Sequence, residues 1–513
     1  MAIKMNKIIL ILMLVFISSV SALAVDNVSV NIPKFFVTFD TDEVGEHVNI
    51  KNFGKLLSPG DPELPVINFT LIVPNNSTNF KIFIDDKKTK CLSELHDIVP
   101  VAPIITIVDG KTYYDWGNGD KKIKDNKNTL VYENNNFYPK DNVKILEIGK
   151  MRNINIVKIQ YCPYRYNPVS KVLELTTGDK ITLTFANVNN IVKNNNSIFQ
   201  NILQNVATND LNIRNNSNTK LGYTIITTKN IKSQCAKLQD FINSKINLNY
   251  NVTVATELDW GGGRGDIAAN NIRDYLKDTY LQNNTKYVLL IGNPSPSSGD
   301  VPMKMLWPRR GKRAYEEAPS HYFYADLTGD WDKNKNNYYG EYGDCGTGGV
   351  DFYPEVIVGR IPLYGSATSL NNILQKTIDY ENGVNNGEWM NQVLYSVKPS
   401  DGATPGYHLG EQMKNDFLLN NDFSIIRVYD SDYGLVPPPE YTYCSKTNVW
   451  KAWDKYKPGF HFWWTHGSQT EAASIWSSSS CVALDDDYPV FTFQCSCLNA
   501  YPEHTGNLAY SLL

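Results

Sequence analysis

The sequence predicts a multidomain protein: an N-terminal all-β, sandwich-like region, then an α/β region with a mostly parallel sheet. Three observations predict it. Residues 25–192 carry short β-branched or alternating runs separated by Asn, Asp, Gly and Pro, the pattern of antiparallel strands. After residue 220 strand-like and helix-like segments alternate, which implies parallel strands covered by helices. Between the two, residues 193–220 are rich in asparagine, with one short amphipathic piece at 198–206, and read as a surface linker. A chain of 513 residues accommodates two to four domains at roughly 100–200 residues each.

At the N-terminus Lys4 and Lys7 precede an apolar run over residues 8–20, followed by Ala22-Leu23-Ala24. Basic, apolar and small-residue segments in that order predict a secretory signal over residues 1–24. Ser18, Ser19 and Ser21 interrupt the run, which disfavours a membrane anchor. The mature protein is therefore expected to be secreted or at the cell surface, with no further membrane association. In the β region, Val66-Ile67-Asn68-Phe69-Thr70-Leu71-Ile72-Val73 lies between Pro65 and Pro74 and predicts a strand. Residues 79–84, 145–161 and 171–185 predict others. Cys91 and Cys162 can pair there as a disulfide, which such a compartment permits. In the α/β region, strands are expected at Tyr223-Thr224-Ile225-Ile226, Val252-Thr253-Val254-Ala255 and Tyr287-Val288-Leu289-Leu290-Ile291. Helices are expected over 231–246 and 266–281, where Ile267, Ile272, Tyr275 and Leu276 recur at helical spacing. The alternation divides into subdomains at 221–388 and 389–513.

Lys plus Arg number 49 and Asp plus Glu 53, a net charge of −4. That balance argues against a dedicated nucleic-acid binder, which needs a basic excess to displace counterions. Eight cysteines are too few for a disulfide scaffold in a chain of this length.

The chemistry is expected near the end of the chain. Gly459-Phe460-His461-Phe462-Trp463-Trp464 reads as a buried strand that stops at Thr465-His466-Gly467-Ser468. Pro489-Val490-Phe491-Thr492-Phe493 reads as a second buried strand, stopping at Gln494-Cys495-Ser496-Cys497. In a parallel sheet both stops fall at carboxyl ends of strands, where α/β folds place their sites. An imidazole beside a thiol promotes the thiolate and can then protonate an amine leaving group. The N–H groups of Gly467 and Cys497 can stabilise the oxyanion. A zinc site wants ligands at regular spacing, and Cys481, His461 and His504 are irregularly placed. Elsewhere Asp330, Asp332, Asn334, Asn336 and Glu341 fall at positions 1, 3, 5, 7 and 12 of a loop, the oxygen-ligand spacing that wraps a Ca²⁺ ion. Lys335 at position 6 and the absence of flanking helical patterns separate this loop from an EF-hand. No organic cofactor is indicated.

An apolar strand ending in His-Gly followed by one ending in Cys resembles the caspase-like cysteine peptidases. The chain as a whole resembles the gingipain family. The resemblance rests on His466-Gly467-Ser468, Ser496-Cys497-Leu498-Asn499, Tyr287-Val288-Leu289-Leu290-Ile291-Gly292 and Val356-Ile357-Val358-Gly359-Arg360-Ile361-Pro362. It also takes in Asp330-Trp331-Asp332, Tyr339-Gly340-Glu341-Tyr342, and Gly60-Asp61-Pro62-Glu63-Leu64-Pro65 in a part similar to the family's β-rich pro-region.

The resemblance implies a zymogen of a cysteine endopeptidase acting on proteins or peptides through a thioester acyl-enzyme. It implies His466 as base and acid, Cys497 as nucleophile with Cys495 as the alternative, and Asp401 as the residue that orients the histidine. Gingipains cut after Arg or Lys using an aspartate at a helix start. Here that region reads Gly406-Tyr407-His408-Leu409, without a carboxylate, so Tyr407 and His408 imply a pocket for something less basic. Gingipain-type domains continue further beyond the nucleophile than this chain does to Leu513. The α/β domain is thus expected to be truncated at its C-terminus, and an inactive surface-binding or adhesive relative is the alternative function.

Overall fold

Short β-branched runs become antiparallel ladders in the first part of the chain and parallel ones in the second. The computed structural model describes residues 24–74, 77–108, 111–117, 121–152, 154–187, 208, 220–307, 317–399 and 405–513. Residues 1–23 of the expected signal, nearly all of the Asn-rich linker, and Asp401 lie outside the described residues. The chain divides into two units: Met1–Thr219 with Thr328–Lys333 and Asp344–Tyr353, and Lys220–Leu327 with Asn334–Gly343 and Pro354–Leu513.

The first unit contains β1 (Ala24–Asn31), β2 (Gly54–Lys55), β3 (Pro65–Pro74), β4 (Thr78–Ile84) and β5 (Lys88–Leu95). It continues with β6 (Val143–Met151), β7 (Ile154–Tyr161), β8 (Tyr164–Asn167), β9 (Val172–Thr177) and β10 (Lys180–Asn187). These pair in the orders β1-β10-β4, β6-β7-β3-β2 and β8-β9-β5, antiparallel throughout. A four-residue helix, Thr129–Tyr132, begins where the Asn128 side chain accepts from the Leu130 N–H.

The period of two along each strand carries the core. Phe69, Leu71 and Val73 of β3 are buried with Val157 and Ile159 of β7 and Ile181 and Leu183 of β10. Each such side chain contributes about 1.5–3 kcal/mol on burial. A second core gathers Val48, Leu64, Tyr164 and Leu173.

The disulfide that Cys91 and Cys162 could form is not made. Both cysteines are free, Cys91 exposed and Cys162 buried. The Cys162 thiol donates to the Tyr164 carbonyl at 3.0 Å. Burial pushes its pKa up to about 12, which suppresses the thiolate that exchange requires.

The second unit carries two parallel sheets. The first is built from β11 (Leu221–Ile226), β12 (Tyr250–Ala255), β13 (Thr285–Gly292) and β14 (Ile357–Pro362), in the order β12-β11-β13-β14. Its core includes Ile225, Leu289 and Ile291. The segment expected as one helix over 231–246 is two, α1 (Lys229–Gln234) and α2 (Leu238–Asn247). Cys235 is extended between them. The Asn371 side chain accepts from the Lys237 N–H at 2.9 Å and from the Cys235 thiol at 3.1 Å, a tertiary anchor that local periodicity does not reveal. Helices α3 (Gly265–Thr279) and α4 (Ala367–Glu381) follow; of the stripe expected on α3, Ile272 and Leu276 are buried, whereas Tyr275 is half-buried and Ile267 is 67% exposed, because the buried face is filled by Ala268 and Ala269 instead. Ala268, Ala269, Ile272 and Leu276 are buried on one, and Leu370, Ile373, Leu374 and Ile378 on the other.

The second sheet holds β15 (Gln392–Val397), β16 (Ser424–Tyr429), β17 (Tyr441–Thr442), β18 (Phe460–Trp464) and β19 (Phe491–Cys495), in the order β17-β16-β15-β18-β19. Helix α5 (Tyr407–Met413) precedes β16, and α6 (Lys446–Tyr456) precedes β18. Ser445 caps α6 by accepting from the Asn448 N–H. One face of the sheet packs on Val449, Ala452, Trp453 and Trp476.

The expectation of a buried strand at 489–493 is corrected. The strand runs from Phe491 to Cys495, ends the sheet order, and leaves Phe491 59% and Phe493 58% exposed. An outer strand has a neighbour on one side only, so apolar content by itself does not bury it.

Candidate active site

Strand register brings the predicted dyad to one level. β18 and β19 are parallel neighbours, and Trp464 pairs with Cys495. His466 and Cys497 each follow two residues later, so both leave the sheet at its carboxyl edge from adjacent strands, which lie about 4.8 Å apart. The Thr465 N–H donates to the Cys495 carbonyl at 3.1 Å and extends the pairing toward the histidine.

Gly467 explains why this turn takes no side chain. A Cβ there would lie 2.5 Å from the Cys497 oxygen and 2.7 Å from its nitrogen. The two backbones therefore touch. Gly467 also bridges Ala472 in a short antiparallel hairpin. The ladder bonds beside that bridge run from Ala473 N–H to the His466 carbonyl and from Ser468 N–H to the Glu471 carbonyl, both at 2.8 Å. The hairpin thus leaves the Gly467 N–H out of its bonding.

Asn499 locks the two turns together, and sequence reasoning assigned it no role. It is buried. Its side-chain N–H groups donate to the Ser468 carbonyl at 2.7 Å, the Glu471 carbonyl at 3.1 Å and the Cys497 carbonyl at 3.3 Å. Its oxygen accepts from the Ser496 hydroxyl, which in turn accepts from Trp463 Nε1 at 2.9 Å. The signal was an amide two residues beyond the cysteine. Its bonding to a turn some thirty residues earlier is not a local property.

The two cysteines differ. Cys497 is exposed and Cys495 half-buried. Burial raises the Cys495 pKa, and the neighbouring Cys497 adds to the rise. A thiol held protonated is the weaker nucleophile. His461, five residues before His466, is a different kind of histidine. It is fully buried and burial depresses its pKa to about 3, so it is neutral. Its Nδ1 accepts from Trp476 Nε1 at 3.2 Å. The proton therefore sits on Nε2, which donates to the Ser396 hydroxyl at 2.9 Å.

Tyr407 and His408 open α5, with ring centroids 3.9 Å apart. Tyr407 also stacks on Tyr433 at 4.0 Å and 10°. Gly406, at φ 73°, lies against the ends of β15 and β18, where a Cβ would be 3.0 Å from Val397 Cγ1 and 3.4 Å from Trp464 Cδ1. The helix is held by Glu411, which accepts from the buried Arg427 at 3.0 Å and from the Tyr429 hydroxyl at 3.2 Å.

In the loop predicted to bind calcium, Asn334, Asn336 and Glu341 belong to the second unit, and Asp330 and Asp332 to the first. The amides of Asn334 and Asn336 both point at Glu341 Oε1, each at 2.5 Å. An amide turned over presents oxygen in place of nitrogen. Glu341 and the two amide oxygens are hard donors of the kind calcium takes, but those oxygens now accept from the Asn336 and Tyr338 N–H groups at 3.1 and 2.8 Å, bonds that turning the amides would break.

Comparison with known proteins bears on residues 23–509. The profile of Peptidase family C25 matches residues 216–509, and that of the C25 propeptide matches residues 23–214. Gingipain R2 of Porphyromonas gingivalis, represented by two strains, is 22% identical over 326 residues. The alignment covers 60% of this chain and 38% of that relative, so the chain spans well under half of the relative's length. A complex of the pro- and mature domains of P. gingivalis RgpB superposes with a TM-score of 0.26 at 17% identity, covering 36% of this chain and 92% of that one. A P. gingivalis gingipain K structure concerned with zymogenic latency gives 0.25 at 16% identity, covering 33% and 90%. With more than half of its length matched by the peptidase profile and the preceding region by the propeptide profile, the chain belongs to Peptidase family C25.

Proposed function

We propose that this protein is a secreted cysteine endopeptidase, made as a zymogen, that hydrolyses peptide bonds through a Cys497–His466 dyad. The observation that carries the proposal is the pairing of Trp464 with Cys495, which delivers histidine and thiol to one edge of a parallel sheet, as in a caspase-like arrangement. His466 takes the Cys497 proton, and the thiolate attacks the scissile carbonyl carbon. The oxyanion is held by the Gly467 and Cys497 N–H groups. The imidazolium then protonates the departing amine, leaving a thioester. A water that gives its proton to His466 hydrolyses the thioester and regenerates the thiol. Asp401 would orient the imidazole.

The substrate pocket formed by Tyr407 and His408 presents rings rather than a carboxylate, which supports a preference for uncharged over basic side chains. Residues 1–24 would direct export, and residues 25–192 would act as the pro-region until cleavage near 193–220. No described helix is long and apolar enough to cross a membrane. Calcium on Asn334, Asn336 and Glu341 would rigidify the long loop between β13 and β14, and a chelator should lower the thermal midpoint until calcium is restored.

The test is labelling of the protein, with calcium and mild reductant, by acyloxymethyl ketone peptides varied at the residue before the reactive group. Label on Cys497 that is lost in His466→Ala establishes the dyad, and the preferred peptide identifies the pocket. A folded protein that takes label on neither Cys495 nor Cys497 would point instead to an inactive binding protein.

A further inference from the structure

We propose that Cys495 is a resolving thiol for Cys497: a disulfide-class oxidant such as oxidised glutathione joins the two in a reversible Cys-X-Cys crosslink that blocks the nucleophile. The crosslink itself needs only the two thiols; its effect on activity rests on Cys497 being the nucleophile.

The geometry begins with the residue between them. The Ser496 hydroxyl is tied to Trp463 Nε1 and to Asn499, and Trp463 is buried in the core on one face of the sheet. Side chains alternate along a strand. With Ser496 pinned to the Trp463 face, Cys495, the last residue of the strand, is turned to the other, and Cys497 follows the bend at Ser496. That opposite face carries Trp464, which pairs with Cys495. The electrostatic influence of Cys497 on Cys495, and of Cys495 on Tyr395, agrees with this placement.

Two residues of extended chain span about 6.6 Å, near the upper limit of the roughly 4.4–6.8 Å between α-carbons that a disulfide bridges. The strand ends at Cys495 and bends at Ser496, and Leu498 has φ 60°, so the thiols stand where the chain departs from full extension. An exposed disulfide is readily reduced, as a reversible block requires, and Cys497 is exposed. Neither cysteine has another disulfide partner, and Cys497 is exposed to reagents.

The reaction balances in two exchanges. The Cys497 thiolate attacks oxidised glutathione, forms a mixed disulfide and expels one glutathione thiolate. The Cys495 thiolate then attacks the Cys497 sulfur and expels the second glutathione. The two protein thiols lose two electrons and two protons, and one oxidised glutathione becomes two reduced molecules.

The full chain is exposed to oxidised glutathione, quenched with an alkylating reagent, and digested without reductant. The peptide carrying residues 495–497 should weigh two hydrogens less and take up no alkylating reagent. Dithiothreitol should restore two alkylatable thiols. In Cys495→Ser, Cys497 should instead retain glutathione. Wild-type protein that keeps glutathione on Cys497 while Cys495 remains alkylatable overturns the proposal, as does a crosslink from either cysteine to a different one. Peptidase activity is followed in parallel. Its loss and recovery with the crosslink supports both assignments. A crosslinked protein with full activity upholds the crosslink and rejects Cys497 as the nucleophile.

Discussion

The two units use β-strands in opposite ways. In the N-terminal unit neighbouring strands run antiparallel, so successive strand ends and their turns are shared between both edges of each sheet. In the C-terminal unit the strands of both large sheets run parallel. Within each sheet all carboxyl ends therefore face one edge, and the loops that leave them collect there. Buried polar groups differ in the same sense. Asn142 donates to the Cys162 carbonyl at 3.0 Å and accepts from the Thr176 hydroxyl at 3.0 Å, knitting strands to one another. Asn499 knits the two loops that hold His466 and Cys497. One arrangement builds a scaffold, and the other gathers side chains distant in sequence into a site.

The contrast breaks most sharply at the nucleophile. Cys497→Ser and His466→Ala should each lower kcat/KM by at least about a thousandfold with the fold intact, measured on a fluorogenic peptide beside circular dichroism. Cys91→Ser, an exposed thiol of the other unit, should change it by less than about twofold. If the two sets behaved alike, the placement of the site would fail. Gly467→Ala comes next. Its methyl meets the Cys497 backbone and displaces the dyad, so kcat should fall by about a hundredfold, with a smaller change in KM.

The paired asparagines sharpen the comparison. Asn142→Ala and Asn499→Ala should each cost about 1–3 kcal/mol of stability in urea unfolding, because both leave buried partners unsatisfied. Only Asn499→Ala should also reduce kcat, by roughly tenfold to a hundredfold. Equal kinetic effects from both would make Asn499 merely structural.

The smallest effects are in pH dependence, and they have opposite signs. Burial lowers the His461 pKa to about 3, below the unfolded value near 6.5. Its contribution is present above that unfolded value and is lost as pH falls toward 3. In the N-terminal unit, hydrogen bonding to Glu63 raises the pKa of His47. That contribution is complete below the unfolded value and disappears as pH rises through the folded pKa. Hydrogen exchange followed separately in each unit should show His461→Gln flattening the acid-side slope of the second and His47→Gln the slope of the first on the near-neutral side. A shared profile would contradict these assignments.

Much of this was legible locally. The apolar runs before His466 and Cys497, the punctuation by Gly467, and the change of periodicity near residue 220 are properties of neighbouring residues, which the side-chain periods of strand and helix report directly. The break at Cys235 was not legible, because Asn371 on another helix causes it. Nor was the exposure of Phe491 and Phe493, which depends on which strand ends the sheet.

The sequence by itself determined which reactive groups the chain has, that they follow apolar strands, and that a β-rich region precedes an α/β one. Tertiary structure decided which groups meet. The Trp464–Cys495 register, the contact of Gly467 with Cys497, the Asn499 lock and the stacking of Tyr407 on Tyr433 all join segments separated along the chain. The physical reason is that hydrophobic pattern acts over one or two turns of backbone, whereas register and loop contact are settled only when strands pair and exclude the alternatives.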